Sequence, residues 1–309
     1  MLIRNRLTAL LFTLILALTP FAALAATPNP IEPLDYDSLP DPVEGQHHYL
    51  LLCVDQWEGK PHNLGNTDGI VMVTLDTRAK RVMLTSCIRD LLVLRPDGVI
   101  GRVNYIAKTY GPEELCKVFS THFGVKVEKY ILFDMKQIQA IIQHLGGVDI
   151  TVTDSEANYL KRYAISPTAT TPAMGRAGTY RFTGHAAVIY MRIRKAGGGG
   201  DMMRTQRVRT VLSTLADQCR NITKEEAVAL VNSVGENNTL TNVTLQELME
   251  AMNMAMELRG VVVEEIRMPI DGAYEPINYV SMAVQQADFI KCREAMQDYL
   301  LKSFLVIDD

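Results

Sequence analysis

The residues of this chain best suited to chemistry are arginines and aspartates gathered in two places. Tyr190-Met191-Arg192-Ile193-Arg194 is followed, after Gly197 to Gly200, by Asp201-Met202-Met203-Arg204-Thr205-Gln206-Arg207. In an extended segment Arg192 and Arg194, two apart, leave the same face. In the helix expected over about 204–220, Val208, Val211, Leu212 and Leu215 make an apolar stripe, and four residues before Val208 and Val211 stand Arg204 and Arg207. Both arginines therefore continue the inward face. An inward guanidinium needs an anion, and its planar fork suits phosphate or carboxylate; the alternative is a solvated basic surface with ordinary ion pairs.

The second group lies at strand ends. Asp55 follows one predicted strand, Asp68 closely precedes the next, and Arg89-Asp90 follows a third. Antiparallel pairing of the first two strands brings Asp55 and Asp68 together. Two such carboxylates suit Mg²⁺, which takes one or two carboxylates plus phosphate oxygens and water. Taken alone, each aspartate reads as a turn or capping residue.

The elements that must position these groups alternate between strand and helix. Near-continuous apolar runs at His48–Val54, Ile70–Leu75 and Val82–Ile88 predict strands, the last two joined by a turn at Asp76 to Lys80. Gly111-Pro112-Glu113-Glu114 opens a helix that Gly124 stops. A strand at Tyr130–Phe133, a helix over about 135–145 ending at Gly146-Gly147, and a strand at Val148–Val152 suggest a crossover unit in a helix-covered sheet. Beyond a loop with Pro167 and Pro172, helices are expected at about 184–190, 204–220, 223–234 and 244–258. A strand at Val261–Met268 and a last helix over about 285–304 complete the set. No repeat or polar linker divides the chain after residue 47, so residues 47–309 read as one α/β domain. Met249, Met252, Met254 and Met256 suit core packing or an adaptable apolar pocket.

Arg4 and Arg6 precede an uncharged run from Leu7 to Ala26, so residues 1–26 read as an export signal or an uncleaved membrane anchor. Residues 27–46, with five prolines among acidic and small residues, read as an extended spacer. The 31 Lys+Arg against 35 Asp+Glu, for a net charge of −4, disfavour a nucleic-acid binder. Five dispersed cysteines make no disulfide scaffold and no C-x-x-C site; they read as buried small hydrophobes, with a single disulfide of unassigned pairing as the alternative. The six histidines lack metal-ligand spacing, and Ser86 lacks a nucleophile-elbow context.

Leu51-Leu52-Cys53-Val54-Asp55, Thr67-Asp68-Gly69-Ile70, Ser86-Cys87-Ile88-Arg89-Asp90, Arg102-Val103-Asn104, Leu145-Gly146-Gly147-Val148, the Tyr190–Arg194 segment and Asp201-x-x-Arg204-x-x-Arg207 occur in order over residues 48–215. Together they resemble the LytR-CpsA-Psr proteins of bacterial cell envelopes. The resemblance implies a central mixed β-sheet flanked by helices, with an apolar pocket for a polyprenyl tail. It implies a transferase, on the outer face of the cytoplasmic membrane or in the wall, that moves a teichoic-acid or capsule type glycopolymer from an undecaprenyl-pyrophosphate carrier to peptidoglycan. By position, Asp55 and Asp68 would hold Mg²⁺. Arg89, Arg192, Arg194, Arg204 and Arg207 would hold phosphate, and Asp90 or Asp201 would orient arginines or assist the incoming hydroxyl. Phosphoryl transfer needs little else, since positioning and charge neutralisation carry it.

The chain departs from that pattern where Asn66 replaces an arginine before the second motif, where Gln56 follows Asp55 in place of another, and where Val208 replaces a glutamine. The alternatives are a non-catalytic binder of polyprenyl phosphates and a pyrophosphatase on the same lipid.

Overall fold

The computed structural model describes residues 31–57, 64–162, 175–193, 196, 200–219, 223–236 and 240–302. The expected leader at 1–26 lies outside them. Twelve strands are present among the described residues: β1 Gln46–Val54, β2 Thr67–Asp76, β3 Arg81–Cys87, β4 Leu92–Leu94, β5 Ile100–Arg102, β6 Lys129–Phe133, β7 Val148–Val152, β8 Gly178–Phe182, β9 Leu240–Thr241, β10 Val263–Met268, β11 Tyr274–Tyr279 and β12 Met282–Ala287. The helices are α1 Ile106–Tyr110, α2 Pro112–Phe123, α3 Met135–His144, α4 Asp154–Arg162, α5 Gly184–Met191, α6 Gly200–Cys219, α7 Lys224–Glu236, α8 Leu245–Glu257 and α9 Phe289–Leu301.

Six strands form a mixed sheet in the order β10-β3-β2-β1-β6-β9. β1, β2 and β3 are an antiparallel meander, with β6 parallel to β1 and β10 parallel to β3. Side chains alternate across it. Leu50, Leu52, Ile70, Met72 and Met83 enter a core with Leu115, Phe119 and Phe123 of α2 and Cys292 and Met296 of α9. Leu51, Cys53, Val71, Val73 and Leu84 point the other way, toward α6 and α8. Burial on both faces is why these strands read as continuous apolar runs.

Local signals set the helix ends. Pro112 occupies the first position of α2, and Gly124, at φ 70°, ends it in the left-handed conformation. Asp134 Oδ1 accepts the Gln137 N–H at 2.8 Å while Gln137 Oε1 accepts the Asp134 N–H at 2.9 Å, a reciprocal cap that starts α3.

Four expectations require correction. β7 does not join the central sheet: it pairs antiparallel with β8 in a two-stranded sheet, so β6, α3 and β7 make no crossover unit. The helix expected from 285 begins at Phe289, and residues 274–287 form the β11–β12 hairpin. Arg192 closes α5 in a helical conformation, φ −91° and ψ −1°, and is not extended. The proline-rich segment is no free spacer over its described part: Leu39 is buried, the Leu34 N–H donates to the Thr121 carbonyl at 2.9 Å, and Ile31 packs on the main core.

The cysteine expectation holds for Cys87, Cys116 and Cys292, which are buried; Cys53 is partly buried, and none of these four forms a disulfide. Cys219 belongs to α6, with its side chain outside the described set.

Two histidines make this fold acid-sensitive. His122 sits in the core, its Nδ1–H donating to the Val118 carbonyl at 2.7 Å and its Nε2 accepting the Leu94 N–H at 3.0 Å, which fastens β4 to α2. Burial pushes its pKa down to about 4, and burial does the same to His48, which contacts Thr74 Oγ1 at 2.8 Å. Between pH 6.5 and 4 the unfolded chain therefore binds protons that the native state does not, and stability falls as pH falls through that window. Each histidine accounts for on the order of 3 kcal/mol. The urea midpoint is expected to drop steadily from pH 6.5 to 4, and His122→Gln to remove about half of that slope. An unchanged slope in the variant would show that His122 is not the titrating group.

Candidate active site

The charged groups meet at the end of the sheet where β1 and β3 finish and β2 begins. Cys53 pairs with Gly69 and Val54 with Thr67, so Asp68 is the extra residue of a β-bulge. A bulge re-aims a side chain that regular alternation would fix, and the Asp68 carboxylate is turned onto two arginines. Arg89 Nη1 donates to Asp68 Oδ1 at 2.7 Å, and Arg204 Nη2 contacts Asp68 Oδ2. Asp55 accepts from Arg192 Nη2 at 2.8 Å across the same end of the sheet. Arg204 is only 3% exposed; burial works against its charge, and the neighbouring Asp55 carboxylate supports it. The sequence had placed Asp55, Asp68, Arg89, Arg192 and Arg204 in the site, and the structure brings all five together.

Asp90 is buried between two guanidinium groups, Arg102 Nη1 at 3.2 Å and Arg89 Nε at 3.6 Å. Arg102 also donates to the Ala283 carbonyl at 2.8 Å, and the Gln285 N–H donates to the Asp90 carbonyl at 3.0 Å. Of the two roles open to it, this arrangement favours orienting arginines, because both of its oxygens already face guanidinium groups. Arg102 is a site residue that the charge pattern at the strand ends does not single out, and its only signal in the sequence is the Arg102-Val103-Asn104 motif.

Arg207 faces inward as the stripe requires, but its anion is a carboxylate. Nε donates to Glu156 Oε1 at 2.7 Å, Nη1 to the Ile193 carbonyl at 2.9 Å and Nη2 to the Ala196 carbonyl at 3.0 Å. With 1% exposure, Arg207 is a buried tie and not a phosphate ligand. Arg194 and the Asp201 side chain lie outside the described residues, though Asp201 itself belongs to the first turn of α6.

Several buried polar atoms at this end find no hydrogen-bond partner among the described residues: Arg204 Nη1, Asn66 Oδ1, Thr67 Oγ1 and Asn104 Oδ1. Such atoms are costly to leave unmet, which marks a place for a ligand, an ion or water.

Next to these charges lies an apolar cavity of about 440 Å³, walled by the β1–β3 face, β6 and the helices α3, α6, α7 and α8. Val208, Val211, Leu212 and Leu215, the predicted stripe of α6, line it together with Met252 and Met256. Gly69 lines it between β1 and α6: a Cβ there would stand 3.0 Å from Cys53 Cβ and 3.5 Å from Val208 Cγ1. Cys53 lines the cavity too, and its charged neighbours are Arg204, Asp55, Asp134 and Arg192. Burial pushes the Cys53 thiol up to about 12, so it is an inert wall residue. An apolar chamber thus ends on a cluster of cations and carboxylates.

Residues 31–298 match the model of the LytR_cpsA_psr family. The chain belongs to this family. Among LytR-CpsA-Psr relatives, it is 21% identical over 260 residues to the polyisoprenyl-teichoic acid–peptidoglycan teichoic acid transferase TagV of Bacillus subtilis, a match covering 81% of this chain and 64% of that protein. It is 24% identical over 265 residues to TagT of the same organism, named as the same kind of transferase, with 84% and 79% covered. The chain therefore spans slightly less than two thirds of TagV's length. The LytR-CpsA-Psr fold is also seen in crystal structures: that of B. subtilis TagV superposes with a TM-score of 0.66 at 20% identity, covering 84% of this chain and 98% of that one. A structure of TagT bound to LI-WTA gives 0.66 at 19% identity, covering 90% and 95%. The central mixed sheet flanked by helices is thus the LytR-CpsA-Psr architecture. No helix among the described residues is long and apolar enough to cross a membrane.

Proposed function

We propose that this chain transfers a glycopolymer from a polyprenyl-pyrophosphate carrier to a hydroxyl of peptidoglycan, outside the cytoplasmic membrane. The observation that carries this reading is the apolar cavity ending on Arg89, Arg192 and Arg204, because an amphiphile with an apolar tail and a phosphate head matches both halves. The names of TagV and TagT as teichoic acid transferases agree with it.

In this mechanism the tail lies along the β1–β2 face and the pyrophosphate meets the arginines. The acceptor oxygen attacks the phosphorus that carries the glycan. The bond from that phosphorus to the bridging oxygen breaks, and polyprenyl phosphate leaves with the electron pair and takes up the hydroxyl proton. A glycan–phosphate–peptidoglycan diester remains. Arg204, almost wholly buried, stabilises the charge that grows on the equatorial oxygens more than it would in water. Arg89 and Arg192, released from Asp68 and Asp55, neutralise the leaving phosphate.

The donor set fits Mg²⁺. Asp55 and Asp68 both face Arg204, and the unmet Asn66, Thr67 and Asn104 atoms at this end are oxygens, the donor type that Mg²⁺ takes. Asp55 and Asp68 would hold the ion, which would supply further positive charge to the phosphates.

The test is a transfer assay with a short polyprenyl-pyrophosphate-linked oligosaccharide and peptidoglycan fragments. A covalent product that requires Mg²⁺ and Arg204 is expected. Ala251→Trp, which fills part of the cavity wall from α8, is expected to raise KM for long-chain donors at least tenfold with little change for a donor with a C10 tail. Equal effects on both donors would remove the cavity as the tail site.

A second reading, a binder without turnover, is favoured by Asn66 and Val208. Asn66 offers an unmet oxygen where a cation would grip phosphate, and Val208 extends the apolar wall to Gly69. Under this reading polyprenyl phosphate copurifies without product, and Asn66→Arg restores transfer.

A further inference from the structure

Ala157 and Leu160 of helix α4 share a core with Met191 and Ile193, and a charged side chain of the same helix is tied to the segment that carries Arg192. Glu156 is 4% exposed, and its two oxygens are divided between two tasks. Oε2 accepts the Thr153 N–H at 2.9 Å and the Thr153 hydroxyl at 3.0 Å, while the Glu156 N–H donates to Thr153 Oγ1 at 3.3 Å. That reciprocal cap starts α4 and fixes the carboxylate plane. Oε1 then receives Arg207 Nε, whose two remaining nitrogens hold the carbonyls of Ile193 and Ala196. In the chain these carbonyls stand on either side of Arg194, and Ile193 directly follows Arg192, which grips Asp55. Tyr190, one turn earlier, lies under the Arg207 guanidinium with its ring centroid 6.0 Å away.

We propose that Glu156 is a positioning residue for the phosphate site: through Arg207 it sets where Ile193 and Ala196 stand, and with them the segment that carries Arg192. This rests on the transferase reading for its consequence, though not for its geometry. Stability alone does not account for the pair, because apolar residues of similar volume commonly replace a buried ion pair at no loss. What an apolar pair cannot supply is three fixed hydrogen-bond directions from one planar group. Those directions hold the carbonyls of two residues that follow the end of α5. A displacement of about 1 Å at a phosphate-binding group costs on the order of a hundredfold in rate.

The test uses the full chain with geranyl pyrophosphate as probe, and two variants. Glu156→Gln keeps an oxygen for Thr153 and turns an amide N–H onto Arg207, so it breaks the tie and spares the cap. The double variant Glu156→Leu/Arg207→Met replaces the pair with apolar atoms. Three readouts are taken: thermal midpoint, geranyl pyrophosphate affinity by calorimetry, and amide hydrogen exchange of a peptide containing Ile193 and Ala196.

For Glu156→Gln, exchange in that peptide is expected to speed up at least tenfold and affinity to fall at least tenfold. For the double variant, the thermal midpoint is expected to return to the wild-type value while affinity stays low. Recovery of affinity together with the midpoint would make the pair merely structural and overturn the proposal, as would wild-type exchange and affinity in a folded Glu156→Gln. Wild-type protein that fails to bind the probe, with exchange still faster in Glu156→Gln, would sink the transferase reading and leave the positioning of the segment standing.

Discussion

Asp68→Ala is expected to lower transfer at least a hundredfold and to destabilise the fold by about 3–5 kcal/mol. Both effects follow from the position of one carboxylate. Asp68 is the bulged residue of β2, and its two oxygens receive Arg89 and Arg204, the latter almost wholly buried. Removing one member of a buried ion pair leaves the other charge dry and unpaired, which costs roughly that much. Arg204 already has one nitrogen without a partner, so it cannot recover the loss locally. Under the proposed mechanism the effect on rate comes from losing a carboxylate that would hold the metal ion and the alignment of two arginines that would bind phosphate, where a single preorganised donor is worth about 10²–10³. The apolar cavity is built from other residues, so polyprenol without phosphate should bind the variant as it binds wild type. Calorimetric titration with a short polyprenol and with its pyrophosphate separates the two parts. Loss of polyprenol binding would show that Asp68 supports the cavity and not the headgroup site, and full transfer activity would remove Asp68 from the mechanism.

The parts of this site visible in the sequence were those set by short-range pattern. Apolar runs fixed β1, β2 and β3 to within two or three residues, and the charges at their ends fell together because antiparallel pairing must bring the end of β1 to the start of β2. The stripe of α6 correctly turned Arg204 and Arg207 inward. What it could not reveal was the anion each would meet. Asp68 meets Arg204 because a one-residue bulge redirects it, and a bulge leaves no local signal here. Glu156 meets Arg207 across 51 residues of chain, through packing that only the folded state defines. The Val148–Val152 strand was legible, but its partner was not: Gly146 and Gly147, at φ 75° and 93°, end α3 in a sharp turn that delivers β7 to β8 and not to the main sheet. Likewise, the polar run Gln285-Gln286-Ala287-Asp288 carried too little alternation to distinguish the end of a hairpin from the start of α9.

Gly184→Ala is expected to cost about 3 kcal/mol or more and to weaken pyrophosphate binding, although the change adds one methyl group and lies at the opposite end of α5 from Arg192. Gly184 is the first residue of α5, and a Cβ there would overlap the Gln139 carbonyl oxygen of α3. Glycine is required by this contact and not by a special backbone angle. A backbone carbonyl in the middle of a helix cannot rotate away, so the two helices must separate. Overpacking against a rigid neighbour typically costs about 1–3 kcal/mol, and more where nothing can yield. Separation also opens the second core, in which Ala186, Ala187 and Val188 of α5 pack with Ile142 of α3, Phe182 of β8 and Val211 of α6. Because α5 is a short rigid element ending at Arg192, shifting its start moves the guanidinium that meets Asp55. The expected measurements are a thermal midpoint lowered by several degrees and weaker geranyl pyrophosphate binding in the fraction that remains folded. Gly184→Ser should behave alike, since its Cβ meets the same oxygen. Wild-type stability in both would mean that α3 and α5 part without cost, and the position of Arg192 would then have to be set by its own contacts with Asp55 and by the Arg207 tie that follows it in the chain.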